Sequence, residues 1–291
     1  MGTVMPTVVD AASAVIRVAD AVSPRLGARL AFDTFFSTSP RLREQPRDAD
    51  VMRRAETGWL EVRGRRIPTY RWGEQGPVVV LVHGWRGRAS QFASLIDPLR
   101  EAGYRVVAFD APGHGAAARG RTDVRDWLAA LESLQWRHGR LRALVGHSFG
   151  GFASITAARH GIRADAVVSI AGTGTPAAFL GEFARMTRLR PATAARLEER
   201  FVRHLGETPV SFAERYDALA HPLPELLPLL LVHGTADRQL PAEASRLLQA
   251  AHPSAELLLL DGVGHTRVLS APETRDAVLA HLARAAIPAH P

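Results

Sequence analysis

The chain of 291 residues contains no cysteine. Disulfide bonds, thiolate metal sites and a cysteine nucleophile are thereby excluded. Lysine is absent too, so all 36 basic residues are arginine, set against 29 acidic ones for a formal net charge of +7. The arginines are scattered rather than gathered into one basic stripe, and no aromatic–basic alternation marks a groove for single-stranded nucleic acid. No nucleic-acid partner is expected. Long apolar runs are missing as well: none approaches the roughly 18 to 20 residues that cross a bilayer, so no transmembrane segment is expected. The opening "MGTVMPTVVDAASAVIRVADAV" has no basic leader region and is interrupted by Asp10, Arg17 and Asp20, which argues against a signal peptide. Pro6 stands where N-myristoylation needs Ser or Thr. Together these absences lead to the expectation of a soluble, cytoplasmic protein.

What is present is an ordinary globular composition, 46% hydrophobic and 22% charged, on a length that suits one large α/β domain or two small ones. Residues 8 to about 54 read as helical. Val8, Ala12, Val15, Ile16, Ala19, Val22, Leu26 and Leu30 recur near helical spacing, with Pro24 breaking the run. This stripe is expected to pack on the protein itself, with a second copy or a membrane surface as the other possible partners. From Trp59 the texture changes, and "GWLEVRGRRIPTYRW" predicts two short strands joined at Arg63-Gly64-Arg65.

Apolar runs then alternate with helical segments. "PVVVLVHG" (77–84) precedes a helix near 90–102, "YRVVAFD" (104–110) one near 122–137, and "LRALVG" (141–146) one near 149–160. "ADAVVSIAG" (164–172) follows, then "LLPLLLVHG" (226–234) with a helix near 241–251, and "AELLLLDG" (255–262) with a helix near 272–285. The alternation predicts an α/β protein with a mostly parallel central sheet of about eight strands and helices on both faces. Between residues 172 and 227 no strand signal occurs, and Phe179, Phe183, Met186, Leu197, Phe201, Phe212 and Tyr216 are spread over helical segments. A connection that long carries its own structure, here read as an inserted helical cap. The expected organisation is an N-terminal helical extension (1–56), a core (57–175 and 226–291) and a cap (176–225).

Within this pattern, "LVGHSFGG" (144–151) puts Ser148 between Gly146 and Gly150, at the turn from a strand into a helix. A serine in such a turn projects its oxygen beyond the strand, and the helix N-terminus favours an anionic intermediate. A serine also needs a base and a group that orients the base. Asp237 in "LLLVHGTAD" and His265 in "LDGVGHT" each follow a strand, so both emerge at the sheet edge that presents Ser148. The backbone N–H of Phe149, and that of Trp85 in the His83-Gly84-Trp85 loop, are the candidate oxyanion donors. Asp110 and Asp261 are the other carboxylates considered for the acid's role. His83, and Phe179 and Phe183 in the inserted segment, are candidate substrate contacts. His83, His147 and His233 have no metal-ligand spacing, so no metal is expected. Arg86 and Arg88 follow the oxyanion loop, where solvated arginines are the common case.

The His83-Gly84 loop, "FDAPGHG" (109–115), "GHSFGG" (146–151), "HGTAD" (233–237) and "GVGH" (262–265) occur in this order, and over roughly residues 57 to 287 the chain resembles the α/β-hydrolase fold superfamily. "VHGWRGRASQF" is similar to a bacterial serine-hydrolase subgroup with an N-terminal helical extension. The resemblance implies acyl transfer: Ser148 attacks a carbonyl, His265 takes its proton, Asp237 holds the imidazole, and water releases the acyl group. It implies no cofactor and a small-molecule ester or acyl substrate, with carboxylic-ester hydrolysis as the leading activity. Cofactor-independent oxygenases and perhydrolases on the same fold keep a Ser-His-Asp set and remain an alternative. A non-catalytic binding protein, the third reading, would be expected to have lost a triad member. Ala117 departs from the Ser or Thr that often stands two residues after "GHG". The N-terminal helices leave an oligomer possible.

Overall fold

A computed structural model describes residues 5–285, with side chains from Ala12 onward, so Val8 of the N-terminal stripe lies outside the described side chains. Eight strands follow the chain: β1 (Glu56–Val62), β2 (Arg65–Trp72), β3 (Val78–Val82), β4 (Arg105–Phe109), β5 (Ala143–His147), β6 (Val167–Ile170), β7 (Leu229–Gly234) and β8 (Glu256–Leu260). The helices are α1 (Met5–Val22), α2 (Pro24–Phe35), α3 (Ala49–Arg53), α4 (Ala93–Glu101), α5 (Val124–His138), α6 (Phe149–Arg159), α7 (Pro176–Thr187), α8 (Pro191–Leu205), α9 (Pro209–Tyr216), α10 (Glu243–Ala251) and α11 (Pro272–Arg284). Among the described residues no helix is long and apolar enough to cross a membrane.

The chain divides into two compact units. One holds the described residues up to Ser37 together with Thr175–Asp217; the other holds Thr38–Gly174 and the described residues from Ala218 onward.

In the larger unit the strands form one sheet in the order β1-β2-β4-β3-β5-β6-β7-β8. β1 and β2 are the expected hairpin, β2 meets β4 antiparallel, and every pairing from β4 through β8 is parallel. Successive side chains of a strand point to opposite faces, and both faces are covered. Leu81, Val145 and Val232 share a core with Leu95 and Leu99 of α4 and with Val278 and Leu282 of α11. On the other side Val167, Leu229 and Leu231 pack with Ile155 of α6 and Leu248 of α10. β3 is buried along its whole length, which is why it reads as an unbroken apolar run. Burying each such Val or Leu stabilises the fold by about 1.5–3 kcal/mol. α5 is fastened by its N-cap Asp123, whose side chain accepts from the Arg125 N–H. Its buried Asp126 takes hydrogen bonds from Arg63 and Arg65 around the β1–β2 turn and from Thr122.

The smaller unit joins two stretches of the sequence: α1 and α2 pack with α7 and α8 as one helical body. Residues 38–56 and 218–225 lie with the sheet. α1 and α2 approach so closely that a Cβ on Gly27 would sit 2.8 Å from the Cα of Asp20. Asp20 is buried and receives Arg190 Nε and Nη2, each at 3.0 Å, together with the Thr193 hydroxyl. Phe35 meets Phe183 and Phe201 edge-on, at centroid distances of 5.3 and 5.8 Å, and Phe36 stacks on Phe201. The N-terminal stripe itself splits: Ile16 and Ala19 are buried, while Val15 and Val22 are exposed.

Candidate active site

β5 ends at His147 and α6 begins at Phe149, leaving Ser148 alone in the turn with φ 55° and ψ −119°. A non-glycine residue at positive φ costs on the order of 1–3 kcal/mol and persists only where its surroundings enforce it. Here they do. A Cβ on Gly146 would lie 2.2 Å from the Gly150 carbonyl oxygen, and one on Gly150 would lie 1.9 Å from that of Val82. Only glycine lets α6 pass so close to β5 and β3. The Ser148 N–H donates to Ile170 O at 2.8 Å, and its carbonyl accepts from Gly151 N–H at 3.0 Å. The serine is thus pinned from both sides of its own peptide.

Asp237 and His265 follow β7 and β8, whose carboxyl ends lie in register beside that of β6, next to β5. The Asp237 carboxylate is fully engaged. Its Oδ1 accepts the Gln239 and Leu240 N–H groups at 2.8 and 2.9 Å, and its Oδ2 accepts His265 Nδ1–H at 2.6 Å. His233 Nε2 stands 3.3 Å from the same Oδ2 and donates to Leu240 O at 2.9 Å. Burial raises the carboxyl's proton affinity, but the bonds from His233, His265 and Leu240 outweigh it and hold Asp237 below the usual carboxylate range. An ionised Asp237 fixes the His265 tautomer with Nδ1 protonated, leaving Nε2 to take a proton.

Two carboxylates considered for the same role are engaged elsewhere. Asp110 is buried and accepts from Tyr70 OH, Ala89 N–H and Ala116 N–H, bracing three segments at once. Asp261 is exposed and accepts from Thr235 Oγ1. Around the Ala117 position, the turn is closed by Ala117 N–H donating to His114 O and by Arg41 Nη1 donating to Ala117 O.

The loop after β3 lies against the elbow. A Cβ on Gly84 would be 3.0 Å from Ser148 Cβ and 3.5 Å from Phe149 N, and the Trp85 and Phe149 rings meet edge-on at 5.3 Å. Phe149 is the first residue of α6, where N–H groups point out of the helix end. His83, expected to touch substrate, does not line open space: its side chain is fully buried and both ring nitrogens engage backbone groups. Phe179 and Phe183 lie on α7 in the helical unit, Phe183 within its aromatic cluster.

His147 makes a contact that its place in the sequence does not assign. A carbonyl oxygen can only accept, so His147 Nε2–H donates to His265 O at 2.9 Å and ties the loop carrying His265 to the residue before Ser148. Burial and the neighbouring His265 lower the His147 pKa to about 3, so the ring stays neutral. The signal was visible as a histidine closing three apolar strands, in "LVHG", "LVGH" and "LLVHG".

Residues 79–280 match the sequence profile of the alpha/beta hydrolase family. A monoacylglycerol lipase of Mycolicibacterium smegmatis is 27% identical over 264 residues, spanning 76% of this chain and 93% of its own. A dihydrolipoyllysine-residue acetyltransferase component of the acetoin cleaving system of Pseudomonas putida is 32% identical over 257 residues, spanning 73% of this chain and 65% of its own. Among solved structures, mouse alpha/beta hydrolase domain-containing protein 10 matches with a TM-score of 0.61 at 20% identity, covering 79% of this chain and 98% of that one. With the profile running from β3 into α11, this chain belongs to the alpha/beta hydrolase family.

Proposed function

We propose that this protein is a serine hydrolase that cleaves carboxylic esters of small molecules through an acyl-enzyme. The observation that carries the reading is the 2.6 Å bond from His265 Nδ1 to Asp237, at the sheet edge where Ser148 is held at φ 55°. His265 Nε2 accepts the Ser148 proton as Oγ attacks the ester carbonyl. The imidazolium is stabilised by Asp237 and returns the proton to the departing alcohol. Water, deprotonated by the same nitrogen, then attacks the acyl-serine, and the imidazolium returns that proton to Ser148 Oγ as the acid leaves. The N–H groups of Trp85 and Phe149 would meet the oxyanion in both steps, each worth about 3–4 kcal/mol of barrier. Similarity to a monoacylglycerol lipase along 93% of that protein's length supports an ester as the substrate.

The test is turnover of p-nitrophenyl acetate, butyrate and octanoate, with fluorophosphonate labelling of wild type and Ser148→Ala. Wild type should label and turn over. Ser148→Ala should do neither, losing on the order of 10⁴-fold or more in kcat while keeping its melting temperature. Turnover that survives in Ser148→Ala sinks the nucleophile. Labelling with no hydrolysis of any ester sinks the ester assignment alone.

A further inference from the structure

The peptide carrying the Trp85 N–H is held by two buried side chains, His83 and Trp127. His83 Nε2 lies 2.9 Å from the Ala111 N–H. A backbone N–H only donates, so Nε2 is the bare nitrogen and the ring proton sits on Nδ1. That Nδ1–H donates to Gly84 O at 2.8 Å. Gly84 C=O and Trp85 N–H are the two ends of one planar trans peptide, so fixing the carbonyl fixes the N–H in the opposite direction. Burial lowers the His83 pKa, which keeps Nε2 able to accept.

Trp127, from α5, acts one peptide earlier. Its indole N–H donates to His83 O at 3.0 Å. Its ring stacks on Trp85 at 5.8 Å and 18° and meets Phe149 edge-on at 4.9 Å. One side chain therefore packs against both residues whose N–H groups would form the oxyanion hole. His83 and Trp127 are each 0% exposed, so neither can contact substrate from solvent.

We infer that His83 and Trp127 are positioning residues of the oxyanion hole, orienting the Gly84–Trp85 peptide so that its N–H meets the oxyanion formed at Ser148. The inference rests on the serine-hydrolase reading above. It requires a neutral, Nδ1-protonated His83, because Nε2–H would face the Ala111 N–H. Misaligning this peptide weakens an interaction made in the transition state and barely touches ground-state binding.

Three variants test it. His83→Leu keeps neither the donor nor the acceptor and should lower kcat about 100-fold with KM within about threefold of wild type. His83→Gln keeps one donor and one acceptor and should recover much of that loss. Trp127→Phe keeps an aromatic ring without its N–H and should lower kcat about 10-fold. In each, affinity for a trifluoromethyl ketone, whose serine adduct carries an oxyanion, should fall in step with kcat/KM. Binding of the unreactive alcohol of the same skeleton should not change. A folded Trp127→Phe with wild-type kcat and ketone affinity overturns the inference, and so do losses confined to KM; this variant decides alone if His83→Leu does not fold. Ser148→Ala run alongside separates the two levels. Residual turnover there removes the underlying reading, whereas Ser148-dependent turnover indifferent to His83 and Trp127 removes only this inference.

Discussion

Burial holds His114 and His147 at pKa values of about 3, against 6.5 for an unperturbed histidine. For His114 the nearby His83, Arg41 and Arg86 push the same way after burial, while its Nδ1–H bond to Pro112 O opposes them. Between pH 3 and 6.5 the unfolded chain therefore binds protons that the folded chain refuses. The stability contributed by these neutral rings is whole above pH 6.5 and is lost as the pH falls. Each histidine should remove about 2 kcal/mol of unfolding free energy between pH 7 and pH 5. His114→Phe should cut the acid loss by that amount even if it lowers stability at pH 7, as urea unfolding at the two pH values would measure. An undiminished acid loss in the variant would refute the assignment. At this scale Ser148, Asp237 and His265 were legible as candidates because each follows an apolar strand at the same sheet edge. His83 was not: a histidine after a strand reads equally as site lining or as a buried brace. What decides is the Ala111 N–H, delivered by a turn 28 residues away.

Elements were the most legible level. Short apolar runs bounded by glycine gave the parallel strands, and the one long interval without strand signal became α7 to α9. Lateral order was not legible, because the alternation of strand and helix is the same whether β4 lies inside or outside β3. The antiparallel β2–β4 pairing fixes it in space. Glycines separate two kinds of requirement within elements. Gly150 admits no side chain, since a Cβ would overlap the Val82 carbonyl. Gly181, exposed within α7, would meet nothing within 4 Å. Gly181→Ala should stabilise α7 by about 0.5–1 kcal/mol by reducing the backbone entropy lost on folding. Gly150→Ala should destroy the elbow and the soluble fold with it. Thermal melts and soluble yield compare the two, and a well-folded Gly150→Ala would contradict the close approach of α6 to β3.

At the scale of the whole molecule, helical periodicity says that a face is buried but not what it is buried against. α1 and α2 could not be assigned to the same body as α7 and α8 from sequence, because Asp20 and Arg190 stand 170 residues apart. The same ambiguity put Val15 and Val22 in one stripe with Ile16, although only Ile16 is buried. If the helical unit is one cooperative body, loosening its cross-link should loosen both of its sequence segments. Asp20→Ala tests this. Arg190, about half exposed, loses its partner to water at small cost, but the fully buried Thr193 hydroxyl loses its acceptor. A buried hydroxyl left without its partner costs about 1–3 kcal/mol. Amide exchange in α1, α2, α7 and α8 should therefore quicken together by about 5- to 150-fold, while amides of β3 and β5 keep wild-type rates. Faster exchange confined to α1 would mean that the N-terminal helices merely rest on α7 and α8. Faster exchange in all four helices, with the sheet unmoved, is the behaviour of a helical unit built jointly from the start and the middle of the chain.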